Sequence, residues 1–197
     1  MGIKLSFQYL IKVPNDRIGV LIGKNGKVKS EIEEKCKVQL EINSGSGDVV
    51  VSSSYEPPSD MQPFRAIEII SAISKGFSPQ RANLLLRDED LIFQIIDLKE
   101  YAGKSSNTMD RLKGRIIGQA GKSRRTIEEL SGSYISVSGH TVALIGGFDE
   151  VRIANEAIIM ILKGSTHRTV YEMLQQARRK SKLDKMRLWE KGSHSED

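Results

Sequence analysis

The chain has 197 residues, 39% of them hydrophobic and 28% charged, a balance typical of a globular protein with one or two packed domains. No apolar run approaches the roughly 20 residues that a membrane-spanning helix needs, and no charged-then-apolar signal pattern opens the sequence. The single cysteine, Cys36, excludes an internal disulfide, so we expect a cytoplasmic protein with no membrane partner.

The net charge of +5 is unevenly placed along the chain. Residues 167–191 hold eight Lys or Arg against three acidic residues, which accounts for the whole excess. The rest of the chain is balanced, so a binding site for a polyanion elsewhere has to come from a local cluster of basic residues.

Hydrophobic periodicity and turn residues predict an alternation of strands and helices in the first half of the chain. The predicted segments are a strand over 5–13, helices ending at 22 and 35, strands over 38–42 and 49–51, a loop over 52–59, a helix over 63–75 and, within 76–90, a short helix opened by Ser78-Pro79. Asn15 or Asp16 is expected to cap the first helix. The buried stripe of the helix over 63–75 is predicted to consist of Phe64, Ile67, Ile70, Ala72 and Ile73.

The same order returns from residue 91 onwards. The predicted segments are a strand over 91–98, a polar insertion over 99–110, helices over 112–117 and 122–130, strands over 134–137 and 141–145, a long helix over 148–163 and a final helix from 167 to about 191. Val170, Met173, Leu174 and Ala177 recur on one face of the final helix. We therefore expect its first turns to pack on the second half of the chain and its basic end to be exposed.

Both halves contain a Gly-x-x-Gly loop between their first two helices. The sequence Ile22-Gly23-Lys24-Asn25-Gly26-Lys27 returns 95 residues later as Ile117-Gly118-Gln119-Ala120-Gly121-Lys122. Paired glycines let a sugar-phosphate backbone approach closely, and each loop ends at a helix N-terminus, where free amide groups attract an anion. No acidic residue lies within 17–29 or 111–125. We interpret the loops as contacts for nucleic-acid phosphates, since neither has the spacing or the Lys-Ser/Thr ending of a mononucleotide-binding P-loop.

The remaining polar residues do not suggest an enzyme. His140, His167 and His194 show no spacing typical of a metal site, and no Ser, His and Asp residues are arranged in a way that supports a catalytic triad. Asp and Glu are interspersed with Lys and Arg, as on a solvated surface. We predict a non-enzymatic binding protein without a cofactor or a metal.

The order strand, helix, Gly-x-x-Gly, helix, strand, strand, helix resembles the type I KH domain, and the resemblance covers nearly the whole chain in two copies. The type II arrangement is disfavoured because both hairpin strands follow the loop. The resemblance implies an α+β fold of two type I KH domains (β-α-α-β-β-α) in tandem with a C-terminal basic helix. The implied domains cover 1–86 and 87–165, and the basic helix and tail cover 166–197.

One departure from the common KH pattern resembles the sequences of a particular family. Lys29 and Arg124 replace the aliphatic residue that many KH domains have three positions after the second glycine. Together with the run Lys75-Gly76-Phe77-Ser78-Pro79 and with parts of 115–128, they resemble the archaeal and eukaryotic pre-rRNA-processing proteins called partner of NOB. This resemblance implies a protein that holds single-stranded small-subunit (pre-)rRNA near its 3′ end during ribosome assembly. It also implies two protein partners, the NOB endonuclease that matures this rRNA and a translation initiation factor.

The predicted RNA-binding residues are the two loops and the basic side chains around them: Arg17, Gly23, Lys24, Asn25, Gly26, Lys27, Lys29, Arg115, Gly118, Gln119, Ala120, Gly121, Lys122, Arg124 and Arg125. We expect the second loop to be the main site, since six basic residues lie within 111–125 and four within 17–29. Two other functions stay open at this point. One is a protein-interaction adaptor that uses one KH unit as a docking surface, and the other is a regulator that binds single-stranded DNA.

Overall fold

A computed structural model describes residues 7–53, 62–103 and 105–192, apart from the side chains of 7, 185 and 187–192. The chain divides into two compact units, the first ending at Phe93 and the second beginning at Gln94. This boundary falls within a strand, Leu91–Asp97, which is described with the second unit because it joins the sheet of that unit. None of the helices in the described ranges combines the length and the apolar character that a membrane span requires.

The first unit is a three-stranded antiparallel sheet with helices against one face. Its elements are β1 (Phe7–Lys12), α1 (Asn15–Ile22), α2 (Lys27–Cys36), β2 (Gln39–Asn43), β3 (Asp48–Ser53), α3 (Gln62–Ser74), α4 (Pro79–Ala82) and α5 (Leu84–Arg87). The strand order is β1-β3-β2, with Ile11 opposite Val49 and Leu40 opposite Val51. All four side chains are buried, because alternate residues of a strand point to the same face. Cys36 joins this core, and burial raises the pKa of its thiol to about 11.

Helix α3 closes the core of the first unit. Its buried positions include Ala66, Ile69, Ile70 and Ile73, the i, i+3, i+4, i+7 spacing of one helical face. The prediction that Phe64 belongs to this stripe is wrong, since its side chain is 51% exposed. At 3.6 residues per turn, Phe64 lies roughly 160° around the helix from Ala66 and therefore faces away from the core.

The second unit repeats this plan. Its elements are β4 (Leu91–Asp97), α6 (Lys99–Ala102), α7 (Ser106–Ile117), α8 (Lys122–Ser131), β5 (Tyr134–Ser138), β6 (Thr141–Gly147), α9 (Phe148–Leu162) and α10 (His167–Gly192). The strand order is β4-β6-β5, with Ile135 opposite Leu144 in the antiparallel hairpin of β5 and β6. The predicted type I KH order of strands and helices is thus confirmed in both halves.

Two helices begin earlier than predicted. Helix α1 starts at Asn15 itself, with Pro14 as its N-cap residue and no side-chain cap, so the expected cap by Asn15 or Asp16 is wrong. Helix α7 starts at Ser106 instead of 112, because the Ser105 hydroxyl accepts a hydrogen bond from the Thr108 N–H at 3.2 Å. The segment predicted as a polar insertion therefore contains α6 and the first turns of α7.

Two further segments differ in detail. The stretch 76–90 holds two short helices instead of one, α4 and α5, which meet at Asn83. Ser78 caps α4 as predicted, accepting the N–H of Arg81 at 3.4 Å. Residues 52 and 53, which were predicted to belong to a loop, are the end of β3, and the rest of that predicted loop, 54–59, lies outside the described part of the chain.

Helix α10 packs on α8 and α9 of the second unit. Val170 and Leu174 are fully buried there, and the residues 178–184 are exposed. At the start of the helix, Nε2 of His167 lies 2.8 Å from the carbonyl oxygen of Arg115, which ties α10 to the end of α7. These contacts confirm the prediction of an anchored first half and an exposed basic half.

Truncation after Gly164 is expected to lower the free energy of unfolding substantially, because full burial of each of Val170 and Leu174 contributes about 1.5–3 kcal/mol. Truncation after Ala177 keeps both residues, so this shorter deletion should unfold at the same temperature as the full chain. Circular dichroism during thermal unfolding measures both effects. Unfolding of the shorter deletion at room temperature would contradict the packing described for α10.

Candidate nucleic-acid interface

The two Gly-x-x-Gly loops have the same backbone conformation. A single 3₁₀ turn, Lys24–Gly26 in one unit and Gln119–Gly121 in the other, joins the two helices. The first glycines have φ of 72° and 71°, and the second glycines both have φ of 75°. Between them, Asn25 and Ala120 also adopt positive φ, of 55° and 49°. The repeat read from the sequence is therefore a repeat of backbone shape.

The two glycines of each loop serve different purposes. A Cβ atom on Gly23 would lie 2.5 Å from Cγ2 of Val28, and one on Gly118 would lie 2.6 Å from Cβ of Ser123. Each first glycine is thus required by the packing of the helix that follows. A Cβ on either second glycine would have nothing within 4 Å. The second glycines face open space, where a sugar-phosphate backbone can approach.

Helices α2 and α8 begin directly at the loops. Their N-cap residues are Gly26 and Gly121, and neither helix has a side-chain cap. The amide groups of the first turn are therefore available to an anion, and the helix dipole adds partial positive charge there. Lys27 and Lys122 are the first helical residues, and both side chains are exposed beside these amides.

The middle residue of the second loop is strained. Ala120 has left-handed backbone geometry, which costs an L-residue roughly 1–2 kcal/mol. Nη2 of Arg125 donates a hydrogen bond to the Ala120 carbonyl oxygen at 2.9 Å and fixes the peptide in this orientation. Asn25 holds the same geometry in the first loop at lower cost, because asparagine visits this region more readily than alanine does.

A glutamate in each unit holds the second helix to the sheet. Oε1 of Glu33 accepts the backbone N–H of Leu40 at 2.8 Å, and Oε1 of Glu128 accepts that of Ile135 at 2.8 Å. Glu33 and Glu128 are 95 positions apart, and so are Leu40 and Ile135. The glutamates were not among the predicted site residues. Their position, one residue after an aliphatic residue in both repeats, is the signal that could have found them.

The glutamates also explain the two basic residues that depart from the common KH pattern. Nζ of Lys29 lies 3.7 Å from Oε1 of Glu33, and Nε of Arg124 lies 3.9 Å from Oε2 of Glu128. Both basic side chains are a little over one third exposed. Lys29 and Arg124 therefore lie beside the loops with part of their charge balanced inside the fold.

Two arginines predicted to contact RNA are used inside the fold. Nε of Arg17 donates to the carbonyl oxygen of Ile73 at 2.9 Å, and its Nη2 donates to that of Phe77 at 2.5 Å. The guanidinium of Arg115 donates to the carbonyl oxygens of Ile161 and Ser165, both at 2.6 Å. Each arginine thus satisfies carbonyls at the C-terminal end of the long helix in its unit, where a cation is favoured. We assign both a structural role.

The structure leaves a smaller set of exposed residues at each loop. In the first unit these are Lys24, Asn25 and Lys27, and in the second unit they are Gln119, Ala120, Lys122 and Arg125. Arg111 is exposed on α7, whereas Nζ of Lys113 is 2.8 Å from the carboxylate of Asp110. Counting Arg111, the second loop has three exposed cations and the first loop has two. This difference is smaller than the difference of six against four basic residues in the sequence.

The helix before each loop contains a glycine that was not among the predicted site residues. Gly19 and Gly114 are exposed, and a Cβ on either would have nothing within 4 Å. Glycine inside a helix costs about 0.5–1 kcal/mol relative to alanine, so neither position is explained by stability. Their spacing of 95 residues is the sequence signal. Both leave the helix surface beside the loop without a side chain.

Within the described ranges, no cluster of three or more His, Cys, Asp or Glu side chains could hold a metal ion. His167 is occupied by its contact with the Arg115 carbonyl oxygen. The chemistry offered at the loops is therefore that of amide groups, cations and open glycine surface, which is suited to binding a phosphodiester chain.

Two copies of this loop, each inside a β-α-α-β-β-α unit, define a tandem type I KH protein. A family model described as the eukaryotic type KH domain (KH domain type I), for the second such domain of PNO1, matches residues 92–179. The general KH domain model matches residues 8–70.

Comparison with individual proteins identifies the family of KH proteins to which the chain belongs. The chain is 42% identical over 93% of its length to a KH domain-containing protein of Methanocaldococcus jannaschii, covering 80% of that protein. It is 28% identical over 87% of its length to the pre-rRNA-processing protein pno1 of Schizosaccharomyces pombe, covering 71% of that protein. It also resembles a chain in the solved complex of a/eIF2alpha, aDim2p and rRNA from Pyrococcus horikoshii. That match has a TM-score of 0.81 and 39% identity, over 89% of this chain and 96% of that one. The chain belongs to the PNO1/Dim2 family of KH-domain proteins.

Replacing Ala120 by glycine is expected to raise the free energy of unfolding by about 1 kcal/mol, because it removes the left-handed strain of alanine. Asn25→Gly is the matched change in the first loop and should have a smaller effect, since asparagine tolerates the same geometry. Chemical denaturation followed by circular dichroism gives both values. An equal gain for the two variants would show that Ala120 is not the strained residue.

Proposed function

We propose that this protein binds single-stranded segments of small-subunit pre-rRNA near the 3′ end during ribosome assembly, without catalysing a reaction itself. The observation that carries the proposal is the matched pair of loops, each with an open second glycine, an uncapped helix N-terminus and an exposed lysine at the start of the helix. The solved complex of a relative with rRNA and a translation factor subunit supports RNA as the ligand. A KH loop binds about four nucleotides, so two loops suit two short single-stranded segments.

The protein partners of this activity are part of the proposal. A translation initiation factor is supported by the same complex of a relative, whose components include a/eIF2alpha. The rRNA-maturing NOB endonuclease stays a prediction from the family resemblance. A cytoplasmic location stays a prediction from the single cysteine. A docking role for one KH unit and a preference for single-stranded DNA are the competing functions.

Filter binding distinguishes the three functions. RNA fragments from the 3′ end of small-subunit rRNA should bind more tightly than DNA of the same sequence. Equal affinity for the DNA would favour the single-stranded DNA regulator. RNA binding that survives disruption of both loops would favour the docking role, because the loops would then not be the RNA contacts.

The salt dependence of RNA binding tests whether the loops contact phosphates. Each phosphate neutralised on a single strand contributes about 0.7 to the slope of log affinity against log salt. Replacing Lys27 and Lys122 together by alanine should therefore reduce the slope by about 1.4. Arg152→Ala removes a charge from the far end of the second unit and should leave the slope unchanged. A wild-type slope near zero would contradict phosphate binding.

The second loop is expected to be the stronger RNA site, because it keeps more exposed cations. Asp at both 119 and 120 places two negative charges against the RNA backbone while leaving the glycines in place. Like charges a few ångströms apart in water cost on the order of 1 kcal/mol each, so RNA affinity should fall about 10-fold to 30-fold. The corresponding variant of the first loop carries Asp at 24 and 25. It changes the charge by three units instead of two, because Lys24 is also removed, and it should still lose less affinity at equal salt. Circular dichroism should show both variants folded, and a larger loss at the first loop would reverse the ranking.

A further inference from the structure

The second unit has a groove at the opposite end of α8 from its Gly-x-x-Gly loop. The groove has a volume of about 800 Å³ and lies between the exposed half of α10 on one side and the end of α8 and the start of α9 on the other. Helix α8 has 10 residues, so this site lies roughly 15 Å from the loop. None of the predicted RNA-binding residues lines it.

Large apolar side chains are exposed in this groove. Phe148, the first residue of α9, is 69% exposed, and Met186 on α10 is 54% exposed. Ile153, one and a half turns further along α9, is half-buried beside them. Exposed aromatic and methionine side chains at one place are typical of protein interfaces, where they act as anchors.

The two walls of the groove carry opposite charge. The wall formed by α8 and α9 presents Glu129, Asp149 and Glu150, and the wall formed by α10 presents Arg178 and Lys182. Two of the three carboxylates on the acidic wall already have partners within the fold. A carboxylate oxygen of Asp149 lies 3.2 Å from Nη2 of Arg152, and Oε2 of Glu150 accepts the Gly147 N–H at 3.0 Å.

The basic wall, in contrast, is open. Arg178 and Lys182 are both exposed, and the described side chains include no ion-pair partner for either. A ligand in the groove would therefore gain most by placing carboxylates along α10. A phosphodiester chain fits poorly, because the three carboxylates of the other wall would repel it.

The dimensions suit a short helix. Arg178, Lys182 and Met186 succeed one another at i, i+4 and i+8, so they line about 12 Å of the groove, or roughly two helical turns. We propose that this groove docks an amphipathic helix of a partner protein, with apolar residues against Phe148 and Met186 and with Asp or Glu along the edge that meets α10. This binding mode is independent of the RNA contacts of the loops.

A displayed peptide library tests the proposal with the full-length protein. The peptides are helices of about four turns with Leu along one face and with Glu, Lys or Ser varied at the flanking positions. Wild-type protein should enrich peptides that carry Glu along one edge. For an enriched peptide, Phe148→Ser should weaken binding about tenfold, as truncation of an interface anchor does.

Charge variants of α10 separate the groove from the helix as a whole. Arg178→Glu with Lys182→Glu should abolish binding of the acidic peptide and favour its Glu-to-Lys counterpart. Arg179→Glu with Lys180→Glu makes the same charge change on the same exposed helix outside the groove and should leave peptide affinity within about twofold. These variants concern exposed residues, so each is expected to melt at the same temperature as the wild type, which thermal unfolding checks.

Three outcomes would overturn the proposal. The first is a library that enriches the same peptides on wild type and on the Phe148→Ser variant. The second is an equal loss of peptide binding for the two pairs of charge variants, which would indicate attraction to net charge alone. The third is a fall in RNA affinity for Phe148→Ser, with no peptide competing, which would make the groove an RNA surface. RNA binding by wild type, measured in parallel, reports separately on the proposed function.

Discussion

In each unit, one charged hydrogen bond joins the helix that follows the loop to the sheet. The Glu33 and Glu128 carboxylates accept the N–H of the residue seven positions later, and both bonds measure 2.8 Å. A bond from a charged acceptor to a backbone amide is stronger than a neutral one, and these bonds are partly buried. They hold α2 and α8 against the sheet. The N-termini of these two helices begin directly at the loops. A phosphate site needs such fixed amides, because a mobile helix end would lose entropy on binding.

Many basic residues near the loops are likewise held by contacts within the fold. A chain with 30 Lys and Arg provides many cations, but several of those beside the loops have partners within the fold. Arg17 and Arg115 close the ends of α3 and α9, and Lys29 and Arg124 lie against the two glutamates. The cations that remain exposed at the loops are few, so affinity for RNA depends on their placement next to uncapped helix ends more than on net charge.

The second unit presents two separate surfaces at the two ends of α8. The loop lies at its N-terminus, and the groove lined by Phe148 and Met186 lies near its C-terminus, roughly 15 Å away. Exposed charges interact weakly beyond about 8–10 Å in ordinary salt. The basic half of α10 therefore adds little to the field at the loop. A nucleic acid and a protein helix could occupy the two surfaces at once without competing for the same charges.

The sequence by itself determined the order of the strands and longer helices, the two loops and the extent of α10. These features depend on local chemistry, namely glycines that allow positive φ, strand alternation and helical periodicity, and all of them can be read within a window of a few residues. Where local signals compete, the prediction was less accurate. Phe64 was placed on the wrong face of α3, and the start of α7 was missed because the cap at Ser105 was not recognised.

Only the tertiary structure decided which basic residues are available to a ligand. Arg17 and Arg115 donate to carbonyls that lie 46 to 60 positions away in sequence. No local pattern contains that information, because the carbonyls at a helix end become acceptors only after the chain has brought the two segments together. The groove beside Phe148 has the same origin, since its walls come from three helices that are separate in sequence. The shape of the loops follows from the local sequence, whereas long-range packing determines which of the surrounding basic side chains stay exposed.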